Sequence, residues 1–188
     1  MLNKNIFKLL IEILGTPDID LFVTRLNTQL STYSSWKPYP GCKFIDAFTV
    51  SWSSLISYIF APFSLLGGVV QKLRRDRAES IVIAPIWPTQ SWYADLLQLV
   101  IYNHIILPMR DNVLTMPHTD KVRPLQNILM LMACRVSGNH LKVTYFLKKQ
   151  QTSYLRPGDM ELKHNTQHIL ENGHCTVVKN KLLHFSVL

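Results

Sequence analysis

The sequence lacks the marks of several protein classes. Its three cysteines, Cys42, Cys134 and Cys175, lie far apart with no C-x-x-C between them. That spacing excludes a disulfide framework and leads us to expect a reduced, intracellular chain. The opening MLNKNIFKLLIEILGTP has no small-residue cleavage site, and Glu12 interrupts its apolar run, so it does not read as a signal peptide. No G-x-S-x-G, no glycine-rich phosphate loop and no HExxH occurs, and no repeat or low-complexity tract is visible. His164 and His168 have i, i+4 spacing, with His174, Cys175 and His184 beyond, but no acidic partner stands between the pair, so no metal site is expected. The carboxylates Asp159 and Glu161 read as solvated linker residues.

Acidic residues are scarce. Twelve Asp and Glu stand against twenty Lys and Arg, for a formal charge of +8. Such a balance favours polyanionic partners, nucleic acid or an anionic membrane, and fits a plain basic protein equally. Apolar residues make up 47% of the 188, enough to form a core in one ordinary domain with a modest appendage.

Charge is missing altogether between Ala47 and Gln71, a window long enough to cross a bilayer. A membrane-associated chain using residues 47–71 is therefore one reading. Five serines, Pro62 and the Gly67-Gly68 pair make that window a poor continuous apolar helix. A strand and loop read better. Tyr58-Ile59-Phe60 is a β-prone run, Ala61-Pro62 interrupts it, and Ser64 can cap a helix through Leu65, Leu66, Val69, Val70 and Leu73 to about Ala78.

The neighbouring segments continue this rhythm. The opening segment predicts an amphipathic helix with Ile6, Leu9, Leu10, Ile13 and Leu14 on its apolar face. DIDLFVT, Asp18 to Thr24, predicts a short strand, and SIVIAP, Ser80 to Pro85, a strand buried on both faces. A helix over about Gln90–Val100 and a strand near Tyr102–Leu107 follow. Helices alternating with strands predict an α/β sheet, mostly parallel, with crossover helices. Ligands of such sheets sit beyond the carboxyl ends of the strands. Past Leu114, TMPHTDKVRPL reads as a connector, QNILMLMACRVSG as a helix stopped by Gly138, and His140 to about Gln150 as another helix. Residues from Gln151 read as flexible, with a β-hairpin turning at Lys179-Asn180.

Four tryptophans, Trp36, Trp52, Trp87 and Trp92, lie near these loops; flooring a groove is one reading of them, and burial in one shared core accounts for them with fewer assumptions. In QKLRRDR, Lys72, Arg74 and Arg75 are placed on the exposed side of a helix, either as a solvated face or as a grip for phosphates.

The ordered series TPDIDLFVTRLN, YSSWKPYPG, DAFTVSW, FAPFSLL, IVIAPIWPTQSWY and LMACRVSG resembles the polyprotein region that follows reverse transcriptase and ribonuclease H in tyrosine-recombinase (DIRS-type) retrotransposons. The likeness covers almost the whole chain. That region is similar in turn to phage-type DNA adenine-N6 methyltransferases, which implies a Rossmann-like fold and an S-adenosylmethionine pocket. The resemblance implies a methyltransferase-like α/β part over residues 1–114, a helical extension over 115–150 and a flexible tail over 151–188. It also implies a polyprotein context with reverse transcriptase, ribonuclease H and a recombinase as neighbours.

Carried over by position, Asp20, Phe22 and Thr24 fall on the cofactor-lining strand. Phe60, Ala61, Pro62 and Phe63 fall on the catalytic element, which in the family begins with Asn or Asp, then Pro, Pro and an aromatic residue. In the family a polar side chain and a prolyl carbonyl accept hydrogen bonds from the target amine, while the aromatic ring stacks on the flipped base. Here Phe60 holds the polar position, Ala61 replaces the first proline, and no glycine-rich turn follows Asp20. The expectation is thus a methyltransferase-like shell without methyl transfer and without a bound cofactor, with a nucleic-acid-binding or spacer role. An active S-adenosylmethionine-dependent enzyme is the contrasting reading.

Overall fold

The computed structural model describes residues 1–108, 113–115, 129–153 and 175–188. Helix α1 (Lys4–Leu14) starts where the Asn3 side chain accepts from Asn5 N at 2.8 Å. It buries Phe7, Leu10 and Leu14. Leu9 and Ile13, expected on the apolar face, are about half exposed, because the buried stripe runs through Phe7 instead.

Strand β1 (Ile19–Leu21) follows, and the short parallel strands β2 (Ser34–Ser35) and β3 (Phe44–Ile45) form a lobe beside it. Next come β4 (Ile56–Ile59), α2 (Leu66–Asp76), β5 (Glu79–Pro85), α3 (Ser91–Leu97), β6 (His104–Ile106), β7 (Leu131–Ser137), α4 (His140–Lys149), β8 (Cys175–Val178) and β9 (Lys181–Val187).

Seven strands make one sheet in the order β1-β4-β5-β7-β6-β9-β8. Pairing is parallel for β1 with β4, β4 with β5, and β6 with β9, while β7 runs antiparallel between β5 and β6. The result is an α/β fold with a mostly parallel mixed sheet. Strand β5 shows why it sits centrally: Ile81 and Ile83 pack on the α1 side and Val82 and Ala84 on the opposite side, where the α2 residues Val69, Val70 and Leu73 lie. Both faces of β5 are thus covered, and the burial of its apolar side chains offsets the entropy of ordering the strand.

Several expectations change. The helix expected over Gln126–Gly138 is, from Leu131 to Ser137, strand β7. Leu, Met and Ala are strong helix formers, but β5 and β6 leave a gap that only an extended segment bonds on both sides. Its alternation fits: Leu131 and Ala133 enter the α1-side core, and Met132, Cys134 and Val136 enter the other. The sheet therefore takes strands from both sides of residue 114. Arg135 points to the α1 side, where it donates to the Leu14 carbonyl at the end of α1 and pairs with Glu79.

Ser64 does not cap α2. A 3-10 turn over Phe63–Leu65 leads in, and Leu65 is the N-cap with no side-chain hydrogen bond. The charge-free window divides into a 3-10 turn over Ala47–Thr49, β4, the 3-10 turn over Phe63–Leu65 and the first half of α2. No helix among the described residues is long and apolar enough to cross a membrane. The turn at Lys179 and Asn180 has positive φ at both residues, 48° and 62°, the geometry of a tight hairpin between β8 and β9.

Candidate functional site

Strands β1 and β4 end side by side, with Leu21 opposite Ile59. The residues that follow them, Phe22 after β1 and Phe60 to Phe63 after β4, enclose an open cleft of about 360 Å³ together with Met1 and Asn27. That volume lies in the lower part of the usual ligand-site range of roughly 300–1,000 Å³. The cleft opens beyond the carboxyl ends of parallel strands, where such sheets place ligands. Thus Phe22, Phe60, Ala61, Pro62 and Phe63, singled out in two separate stretches of sequence, share one site.

Phe22 has φ of 63°. A bulky residue pays a steric penalty there that glycine avoids, and such strain gathers at functional sites. The backbone therefore turns as a glycine would, while a phenyl ring fills the space a glycine would leave open. That ring packs edge-on against Phe48 at 5.0 Å and Trp52 at 6.0 Å between centroids. Across the cleft Phe60 lies 6.4 Å from Phe63, which meets Trp87 edge-on at 5.2 Å.

Among the described residues that line the cleft, Asn27 has the only polar side chain. Its amide oxygen accepts from Thr24 N at 2.6 Å and Thr24 Oγ1 at 2.8 Å. The amide N–H groups are what remain for a ligand, so the side chain offers a donor and no acceptor. Thr24 acts from behind the cleft, through Asn27.

Asp20 stands one layer deeper. It is fully buried, and its Oδ2 accepts from Gln29 N at 2.7 Å and Thr28 Oγ1 at 3.3 Å. Among the described residues its Oδ1 has no hydrogen-bond partner, nor has the hydroxyl of Tyr58, its directly paired neighbour on β4. Burial pushes the Asp20 carboxyl up to about 7, partly opposed by those two hydrogen bonds. Gln29 Nε2 donates to Leu2 O at 2.5 Å. The carboxyl thereby ties the loop carrying Asn27 to the start of the chain, and it does not line the cleft.

The basic helix face is placed differently from expectation. Lys72 is only 6% exposed, pairs with Asp76 at 2.8 Å and lies 5.6 Å over the Trp52 ring. Its ammonium is committed inside the fold because position 72 falls on the buried stripe with Val69 and Leu73. Arg74 pairs with Asp95 on exposed surface, and the exposed Arg75 reaches the largely buried Asp76. Helix α2 runs back from the cleft, so these arginines lie at the other end of the sheet. Trp52 and Trp92 are core residues, whereas Trp36 and Trp87 are 67% and 39% exposed. Among the described residues no cluster of three or more His, Cys, Asp or Glu is placed to hold a metal ion. His164, His168, His174, Asp159 and Glu161 lie outside the described residues.

No family model matches the chain, and no curated protein matches it.

Proposed function

We propose that this chain is a methyltransferase-like module that has lost methyl transfer and serves as a nucleic-acid-binding part of a retroelement polyprotein. One observation carries the reading: the cleft at the ends of β1 and β4 offers an aromatic ring at Phe60 and a donor at Asn27, with no acceptor side chain among the described residues that line it. An exocyclic amine becomes nucleophilic when its protons are held by oxygen, and a hydrocarbon ring cannot hold them. Aromatic walls formed by Phe22, Phe60 and Phe63 suit a planar ring that is bound and left unchanged. The turn at Phe22 supports the same reading, since its backbone takes a positive φ with a bulky side chain where a close approach to a cofactor would call for glycine.

Calorimetry with S-adenosylmethionine, paired with a methyl-incorporation assay on adenine-containing DNA, tests this. The expected result is no incorporation and no micromolar cofactor binding. Methylated adenine would overturn the reading.

A further inference from the structure

Strands β1, β4 and β5 are mutually parallel, β2 is parallel to β3, and β2 meets β1 through the parallel bridge between Asp20 and Tyr33. All five therefore emit their following residues at one end of the sheet, in the lateral order β3-β2-β1-β4-β5. Trp36 follows β2, Phe22 follows β1, Phe60 to Phe63 follow β4, and Trp87 lies two residues past β5. At a strand spacing of about 4.8 Å, Trp36 and Trp87 stand roughly 15 Å apart with the cleft between them.

A single exposed aromatic residue needs no explanation. A row of them along one sheet end, in loops of one charge sign, does. The segments 22–33, 36–43, 60–65 and 86–90 contain no acidic residue, and their charged side chains are Arg25, Lys37 and Lys43. Asp46, which follows β3, is turned to accept from Phe48 N at 2.9 Å. Lys37 Nζ sits 4.3 Å from the centroid of the Trp36 ring, covering one face and leaving the other for a stacked ring. Arg25 is exposed and makes no hydrogen bond or ion pair among the described residues.

We infer that this aromatic rim is a track for single-stranded nucleic acid, with bases stacking on Trp36, in the cleft and on Trp87, and phosphates meeting Arg25 and Lys37. The inference rests on the nucleic-acid-binding reading above and names its partner. Duplex DNA keeps its bases stacked on each other and cannot offer their faces to the rim, which is why the extended single strand is the matching ligand.

Fluorescence anisotropy with a labelled oligothymidylate of about 16 nucleotides tests it, beside a duplex of the same length. Trp36→Ala is expected to weaken single-strand binding by about tenfold, with Trp36→Phe restoring most of it. Added salt should weaken binding, because counterions released into a saltier solution gain less entropy. Arg74→Ala combined with Arg75→Ala, at the other end of the sheet, should leave affinity unchanged. Because Trp36 is largely exposed, its replacement does not threaten the fold. Equal affinity of wild type and Trp36→Ala, or preference for the duplex, would overturn the track while leaving the non-catalytic reading intact. Binding of neither ligand would sink both the track and the nucleic-acid role.

Discussion

Replacing Asp20 by asparagine and His104 by leucine, one at a time, should bend the pH dependence of stability in opposite directions. Asp20 is buried on β1, and desolvation raises its carboxyl from the ordinary 3.8 to about 7. Between those values the folded protein keeps a proton that the unfolded chain has released. Stability from this group is therefore complete below about pH 4 and is lost as pH rises through 7. At about 1.4 kcal/mol per pH unit, the span amounts to about 4 kcal/mol.

His104, fully buried on β6 against Phe185 at 4.8 Å, works the other way. Among the described residues neither ring nitrogen has a hydrogen-bond partner, and burial lowers its pKa from 6.5 to about 4. Here the unfolded chain binds the extra proton, so stability is present above about pH 6.5 and is lost as pH falls toward 4. The size is about 3 kcal/mol.

Over about pH 4 to 6.5 the two slopes nearly cancel in the wild type. Asp20→Asn should expose a stability that climbs with pH across that interval, and His104→Leu one that falls. Urea unfolding followed by tryptophan fluorescence, taken as variant minus wild type, removes the contribution of carboxylates common to all three proteins. A difference profile for Asp20→Asn that is flat with pH would refute the assignment of a buried, proton-holding carboxyl to β1.

Two further outcomes follow from packing. A Cβ at Gly138 would overlap the backbone carbonyl of Leu73 and come within 2.9 Å of Arg77 Cα, so Gly138→Ala should cost about 3 kcal/mol in urea unfolding. Wild-type stability would show that α2 and the β7–α4 connection are not in contact. Asp76→Ala leaves Lys72 buried without its carboxylate and frees Trp52 N, which Asp76 accepts from at 3.0 Å. It should destabilise by about 3 kcal/mol, and Lys72→Met added to it should recover part of that loss in the same assay.

By itself the sequence determined the elements whose signals are local. The run Ser80–Pro85 is apolar and β-branched enough to be a two-sided strand wherever it sits, and the Lys179-Asn180 turn favours a hairpin by backbone preference alone. The break at Pro62 likewise separates β4 from α2 without any tertiary help, whereas the glycine pair falls inside the first turn of α2. It also supplied the two stretches, Asp20 to Thr24 and Phe60 to Phe63, that meet in the cleft.

Tertiary structure decided what depends on a partner distant in the chain. Leu131–Ser137 carries residues that favour a helix, and only the space between β5 and β6 makes it a strand. Lys72 looks like surface until Trp52 closes over it, and Asn27 looks like an ordinary turn residue until the sheet sets its loop beside the end of β4. Trp36 and Trp87, fifty-one positions apart by their numbers, become companions because parallel pairing sends every strand of that half of the sheet out at the same end. A linear pattern encodes which residues prefer water or a given backbone angle; it does not encode which loops a sheet will set side by side.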